Sequence, residues 1–176
     1  MINVVLFEPE IPQNTGNIMR TCAGTGVNLH LIEPLGFRLD EKSIKRSGVN
    51  YIEHCNYKVY SDFDEFKKNN DRKFYFFTRY GKKPHTDFDF SNTNDNIYLI
   101  FGKESTGIPK EILKDNLDKC IRIPMVDKAR SLNLSNTVAI MLFEVYRQLD
   151  YVGLSKVEVI KGEDFLENFW VKMLDI

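Results

Sequence analysis

Cysteine is scarce and scattered: Cys22, Cys55 and Cys120 are odd in number and far apart, which argues against a disulfide framework or a zinc site. Histidine is equally sparse, and His30, His54 and His85 form no ligand-like pair, so no metal is expected in the chemistry. No apolar run approaches the ~18 residues of a membrane helix. The opening MINVVLFEPEIP has no basic start and turns acidic directly after its apolar run, so it does not read as a signal peptide. Neither sign of charge prevails: 24 Lys and Arg stand against 25 Asp and Glu, a net charge of −1, which gives no overall nucleic-acid footprint. No strand runs into G-x-G-x-x-G, and Ile108-Pro109 stands where a Walker A loop needs Lys-Ser/Thr. These absences leave a cytoplasmic protein that uses neither a dinucleotide fingerprint nor a nucleotide-triphosphate loop.

What is present is the material of one domain. At 176 residues, 43% hydrophobic and 28% charged, the chain is long enough to bury a real core. Apolar strands are expected at Ile2–Phe7, Leu29–Ile32, Tyr57–Tyr60, Phe74–Thr78, Ile97–Phe101 and Ile121–Ile123, the last stopped by Pro124. Helices are expected from about Thr15 to the glycines Gly24 and Gly26, from Asp40 to Gly48, from Asp62 to Asn69, and from Pro109 to about Asn116. A final helix carries Val138, Met141, Leu142, Val145 and Leu149 on one face. Regular alternation of near-continuous apolar strands with helices predicts an α/β fold, a mostly parallel sheet covered on both faces.

Three polar loops that follow apolar strands are the candidate site. Asn14-Thr15-Gly16-Asn17-Ile18-Met19-Arg20 combines a glycine for close backbone approach, amides, and a guanidinium with a fixed donor fork. Phe101-Gly102-Lys103-Glu104-Ser105-Thr106-Gly107-Ile108 holds two glycines five apart. Val126–Leu134 then lays Ser131, Asn133, Ser135 and Asn136 beside a helix start, the place where α/β proteins build ligand sites. Plain turn chemistry explains any one of them; three together point to a shared pocket.

The motifs EPEIPQNTGNIMR, LIFGKESTGIP, and IRIPM followed by RSLNLSNTVAIMLFE stand in this order over residues 1 to about 154. On them the chain resembles the SPOUT-class RNA 2′-O-ribose methyltransferases, in particular the small bacterial enzymes that methylate the wobble nucleotide of leucine tRNAs. The resemblance implies S-adenosylmethionine as methyl donor, no metal, a homodimer, a C-terminal trefoil knot, and the anticodon arm of tRNA as substrate, with position 34 a cytidine or modified uridine. It places the cofactor at Phe77, Thr78, Gly102, Ile123, Met125, Ser131 and Leu132, with Gly102 unable to carry a side chain without filling the pocket. It makes Arg20 the catalytic residue. Because a guanidinium stays protonated, stabilising a developing alkoxide or clamping a phosphate is physically easier for it than acting as a base; a surface salt bridge to Glu8 or Glu10 is the structural alternative. Another RNA, such as ribosomal RNA, or a non-catalytic RNA-binding dimer are the rival functions.

Asn14, Arg130 and Asn133 are further candidates for shaping the site or contacting RNA, and Glu104 for the same or for fixing its loop through backbone amides. Tyr146 either reaches substrate across the dimer interface or packs in the core. Lys42, Lys45 and Arg46, with Arg79, Lys82 and Lys83, are the basic clusters that could grip phosphates, unless they are solvated helix faces. Residues 155–176 form a distinct extension. Three lysines there face five acids, and Phe165, Leu166, Phe169, Trp170, Met173 and Leu174 fit an amphipathic helix. It either packs on its own domain, covers the RNA face, or binds a partner.

Overall fold

The computed structural model describes residues 1–39, 54–70, 73–91 and 95–168. Among these residues seven strands form one sheet: β1 (Ile2–Phe7), β2 (Asn28–Ile32), β3 (Tyr57–Tyr60), β4 (Phe74–Phe77), β5 (Lys83–Pro84), β6 (Ile97–Gly102) and β7 (Cys120–Arg122). Their order across the sheet is β3-β2-β1-β6-β4-β7-β5, and every pairing is parallel. The helices among the described residues are α1 (Pro12–Thr25), α2 (Phe63–Asn69), α3 (Lys110–Lys114) and α4 (Leu134–Gln148). The predicted helix from Asp40 to Gly48 lies outside the described residues.

Strand alternation divides the core between two faces. Val4 and Leu6 of β1 and Leu99 and Phe101 of β6 pack with Ile18, Met19 and Cys22 of α1 and Val138, Met141 and Leu142 of α4. Their neighbours Val5, Phe7, Tyr98 and Ile100 point the other way, against Phe66 of α2 and Leu113 of α3. Burial on both faces is why these strands read as unbroken apolar runs rather than alternating ones. Each fully buried valine, leucine or phenylalanine contributes about 1.5–3 kcal/mol.

Two helices begin earlier than their apolar periodicity predicts. Proline occupies the first turn of α1, where its missing N–H costs nothing, and Gly26 closes the helix in the left-handed region at φ 69°. For α4 the cap is Asn133, whose side chain accepts from the Ser135 amide at 2.9 Å. Between β4 and β6, where only a polar loop is expected, the chain places β5 and a 3₁₀ turn at His85–Asp87. A proline in a strand is tolerated at a sheet edge, and β5 is that edge.

The sheet order has a topological consequence. β7 lies between β4 and β5, which are joined by residues 78–82 alone. The chain of β7 therefore runs alongside a short connection that crosses it. Gly81 marks the crossing: a Cβ there would lie 2.8 Å from the Ile121 carbonyl carbon and 2.9 Å from the Arg122 nitrogen, so only glycine fits.

Beyond α4, residues 155–168 form bends and one 3₁₀ turn at Glu163–Phe165, with Val159, Ile160 and Leu166 exposed. The rest of the expected amphipathic helix lies outside the described residues. No helix among those described is long and apolar enough to cross a membrane.

Candidate active site

The carboxyl ends of β1, β4, β6 and β7 release four loops onto the same edge of the sheet, the position where open α/β sheets bind ligands. The loop after β6 is fastened to the loop after β1 by reciprocal bonds. Glu104 accepts from the backbone amides of Glu10 at 2.8 Å and Ile11 at 3.3 Å. In return, Glu10 accepts from the Ser105 amide at 2.8 Å and its hydroxyl at 2.7 Å. These bonds, with Lys103 nearby, hold the Glu10 carboxyl below its ordinary pKa, the Ser105 hydroxyl bond contributing most. Lys103 itself pairs with Glu8.

From Glu104 the brace continues to the third loop. The Asn14 amide donates to Glu104 at 3.0 Å, and the Asn14 carbonyl oxygen accepts from the Asn133 amide at 2.9 Å. Asn133 in turn caps α4. The two helix starts thus meet through one chain of side-chain bonds, and the amide of Ile11, at the N-cap of α1, is held by a carboxylate 93 residues away.

Beneath this brace lies a cleft of about 480 Å³, the size of a small-molecule site. Phe77, Thr78, Gly102, Ile123, Met125, Ser131 and Leu132 all line it, together with Asn14, Arg130 and Asn133. Its floor is apolar: Phe77 stacks on Phe101 with ring centroids 4.3 Å apart, and both are buried. Arg130, Ser131 and Leu132, on its outer side, are exposed. Among the described residues no group of three or more His, Cys, Asp or Glu could hold a metal ion.

Two expectations need correction. Gly102 is required for a reason other than pocket volume: its φ is +104°, and a Cβ would overlap the Phe7 carbonyl oxygen of the adjacent strand. The strand pair β1–β6 meets too closely there for any side chain. Tyr146 does not reach outward. It is buried, and its hydroxyl donates to the Thr25 carbonyl at 2.7 Å, tying α4 to the end of α1.

The chain matches the model of the SpoU rRNA Methylase family over residues 1–143. It belongs to that family. A relative from Geobacillus stearothermophilus is 51% identical over 155 residues, 88% of this chain and 99% of its own. The tRNA (cytidine(34)-2′-O)-methyltransferase of Saccharophagus degradans is 44% identical over 87% of this chain and 99% of its own length. A solved structure concerned with the 2-OH methylation of C/U34 on tRNA superposes with a TM-score of 0.78 and 38% identity, covering 86% of this chain and 97% of that one.

In this SpoU-family chain, Arg20 does not line the cleft. It is exposed on α1, on the same outward face as Asn17 and Gly24, about two turns beyond Asn14. Lys42, Lys45 and Arg46 lie outside the described residues. Arg79 does line the cleft, whereas Lys82 and Lys83 are exposed beyond it. Among the cleft residues not singled out from the sequence are Tyr80 and Arg122. The pairing of an aromatic with the tight-turn glycine in Tyr80-Gly81 was the available signal for the first; nothing local marks the second.

Proposed function

We propose that this chain transfers a methyl group from S-adenosylmethionine, leaving S-adenosylhomocysteine, to the ribose 2′-oxygen of the position-34 nucleotide of leucine tRNAs. It does so as a homodimer in the cytoplasm. The observation that carries the reading is the convergence of the loops after β4, β6 and β7 on one cleft whose floor is aromatic and whose rim is polar. The relatives named for methylation of cytidine 34 set the substrate class.

The cleft fits the cofactor in size and chemistry. Apolar Phe77, Ile123 and Leu132 would cover the faces of an adenine, while backbone groups at Thr78, Gly102, Met125 and Ser131 would meet its polar edges. Once bound, the cofactor supplies a methyl group on a positively charged sulfur, so an oxygen held in line is sufficient as nucleophile. The protein's task is to position that oxygen and stabilise the charge it develops. Arg20 is the group assigned to it, through its permanently protonated guanidinium. Asn14 and Asn133 shape the site, since their amides are committed to the brace from Glu104 to α4. Arg130, exposed on the rim, is free in direction to meet a phosphate.

The position of Arg20 supports the dimer. Arg20 is exposed on α1, and α4, which packs beside that helix, leaves Ile140 40% and Phe143 47% exposed. Two copies joined through these helices would cover those apolar side chains and bring the guanidinium of one to the cleft of the other. The passage of β7 beneath the 78–82 connection supports the expected knot in residues 1–154, the catalytic domain, with 155–176 as an extension.

Methyl transfer from labelled S-adenosylmethionine to total bacterial tRNA, mapped by mass spectrometry, tests the reading. Label on the 2′-oxygen at position 34 of leucine tRNAs is expected. Label in ribosomal RNA alone would overturn the substrate, and cofactor binding without transfer to any RNA would overturn the activity.

A further inference from the structure

We infer that Tyr80, held by Arg79 and Arg122, is a stacking platform for a base of the RNA at the mouth of the cleft. The inference rests on the proposed function for the identity of the RNA. Tyr80 is 59% exposed, although an aromatic ring ordinarily gains by burial. Its exposure is built in by the loop. Gly81 is pressed against the β7 backbone, the Gly81 amide donates to the Thr78 carbonyl at 3.3 Å, and the Tyr80 amide donates to the Thr78 hydroxyl at 3.3 Å. From below, the Arg122 guanidinium donates to the Arg79 carbonyl at 2.6 Å. The turn that carries the ring is therefore fixed on the rim, and Arg79 lies over the ring, 5.7 Å from its centroid.

Charge selects the kind of partner. Arg79, Arg122 and Arg130 line the cleft, with Lys103 already paired to Glu8, and the carboxylate among the described lining residues, Glu104, is engaged with backbone amides and Asn14. In a chain of net charge −1 this is a local positive field beside an exposed π-face. Phosphates with an unstacked base present the complementary chemistry, and stacking on an aromatic side chain is how single-stranded RNA loops are held. The cofactor's adenine is better served by the buried floor at Phe77 and Phe101.

The test compares Tyr80→Ala and Tyr80→Phe by steady-state methylation of tRNA, by calorimetric titration of S-adenosylmethionine, and by anisotropy of a labelled anticodon stem-loop oligoribonucleotide. Loss of one stacked base predicts that Tyr80→Ala raises KM for tRNA and Kd for the oligoribonucleotide at least about fivefold. Tyr80→Phe, which keeps the π-face, stays within about twofold, as do kcat and the cofactor Kd of both variants. Arg79→Ala should flatten the salt dependence of RNA binding. Unchanged RNA binding by Tyr80→Ala overturns the inference. So does a weakened cofactor Kd, which would put the ring over adenine. If the wild type binds the oligoribonucleotide through Tyr80 but methylates no tRNA, the platform stands and the substrate reading falls.

Discussion

Replacing Gly102 with alanine separates two accounts of why glycine stands at the end of β6. If the residue serves only to leave room for cofactor, alanine should weaken binding in a protein of ordinary stability. The structure predicts otherwise. At φ +104° an L-residue is strained by about 1–3 kcal/mol, and the Cβ overlaps the Phe7 carbonyl, an atom of the neighbouring central strand that cannot move aside alone. Overpacking of this kind adds about 1–3 kcal/mol. Together they destabilise the fold by about 2–6 kcal/mol. For a chain of this size each kcal/mol lowers Tm by about 2–4 °C, so a fall of roughly 5–20 °C is expected without any ligand. Thermal unfolding by circular dichroism measures it directly, with calorimetric titration of cofactor run well below the transition. A Gly102→Ala protein that melts within about 2 °C of wild type would refute the strand-contact argument and return Gly102 to the pocket alone.

Arg20→Ala should remove turnover while leaving cofactor affinity within about twofold, read by single-turnover methylation and titration; loss of both would make Arg20 structural. His30, 8% exposed between Tyr60 and Asn3, has its pKa pushed down to about 4, chiefly by burial and then by Lys58. The unfolded chain takes up that proton near pH 6.5, so stability is unaffected above that value and falls by about 3 kcal/mol as pH drops to 4. Urea midpoints of wild type and His30→Gln between pH 7 and 4 should show the steeper decline in wild type; parallel curves would contradict it. Tyr146→Phe should cost about 1 kcal/mol, the bond to the Thr25 carbonyl, and leave turnover per folded protein unchanged. Glu104→Gln should cost about 1–3 kcal/mol and weaken cofactor binding, because the charged acceptor at the start of α1 also orients Asn14; Tm and titration together report it.

Where the fold is set by local pattern, the sequence made it legible. Ile2–Phe7 and Ile97–Gly102 are unbroken apolar runs because each is central in a parallel sheet, and Asp62 announces α2 by accepting from the Glu65 amide. Features set by distant partners were not legible. The bond from the Ile11 amide to Glu104 at the start of α1 is one of these, although Pro12 at the first helical position was itself a local signal for a start before Thr15. β5 is two residues long and includes a proline; it exists only because β7 presents an edge to it. The same holds for the order of the sheet, since nothing in Cys120–Arg122 states that it inserts between β4 and β5.

The site divides in a similar way, and the division bears on how it works. Residues of the loops that line the cleft, such as Thr78, Gly102 and Ser131, were identifiable because a motif fixes both their place in the chain and their place in the loop. Side chains that act at a distance were not, because their direction depends on packing. Tyr146 and Arg20 make the contrast. Both belong to helices of the α1–α4 layer; one turns into the core and bonds Thr25, and the other stands on the exposed face. A catalytic role for the second is compatible with its place on the protomer only if the cleft is completed across a two-fold interface. Mixed dimers therefore decide the point. Arg20→Ala and a cleft variant such as Leu132→Arg, each inactive alone, should recover activity when co-expressed, because one of the two sites then pairs an intact cleft with an intact guanidinium. Absence of recovery in a verified mixed dimer would mean that Arg20 serves its own chain, and that the outward face of α1 has another purpose.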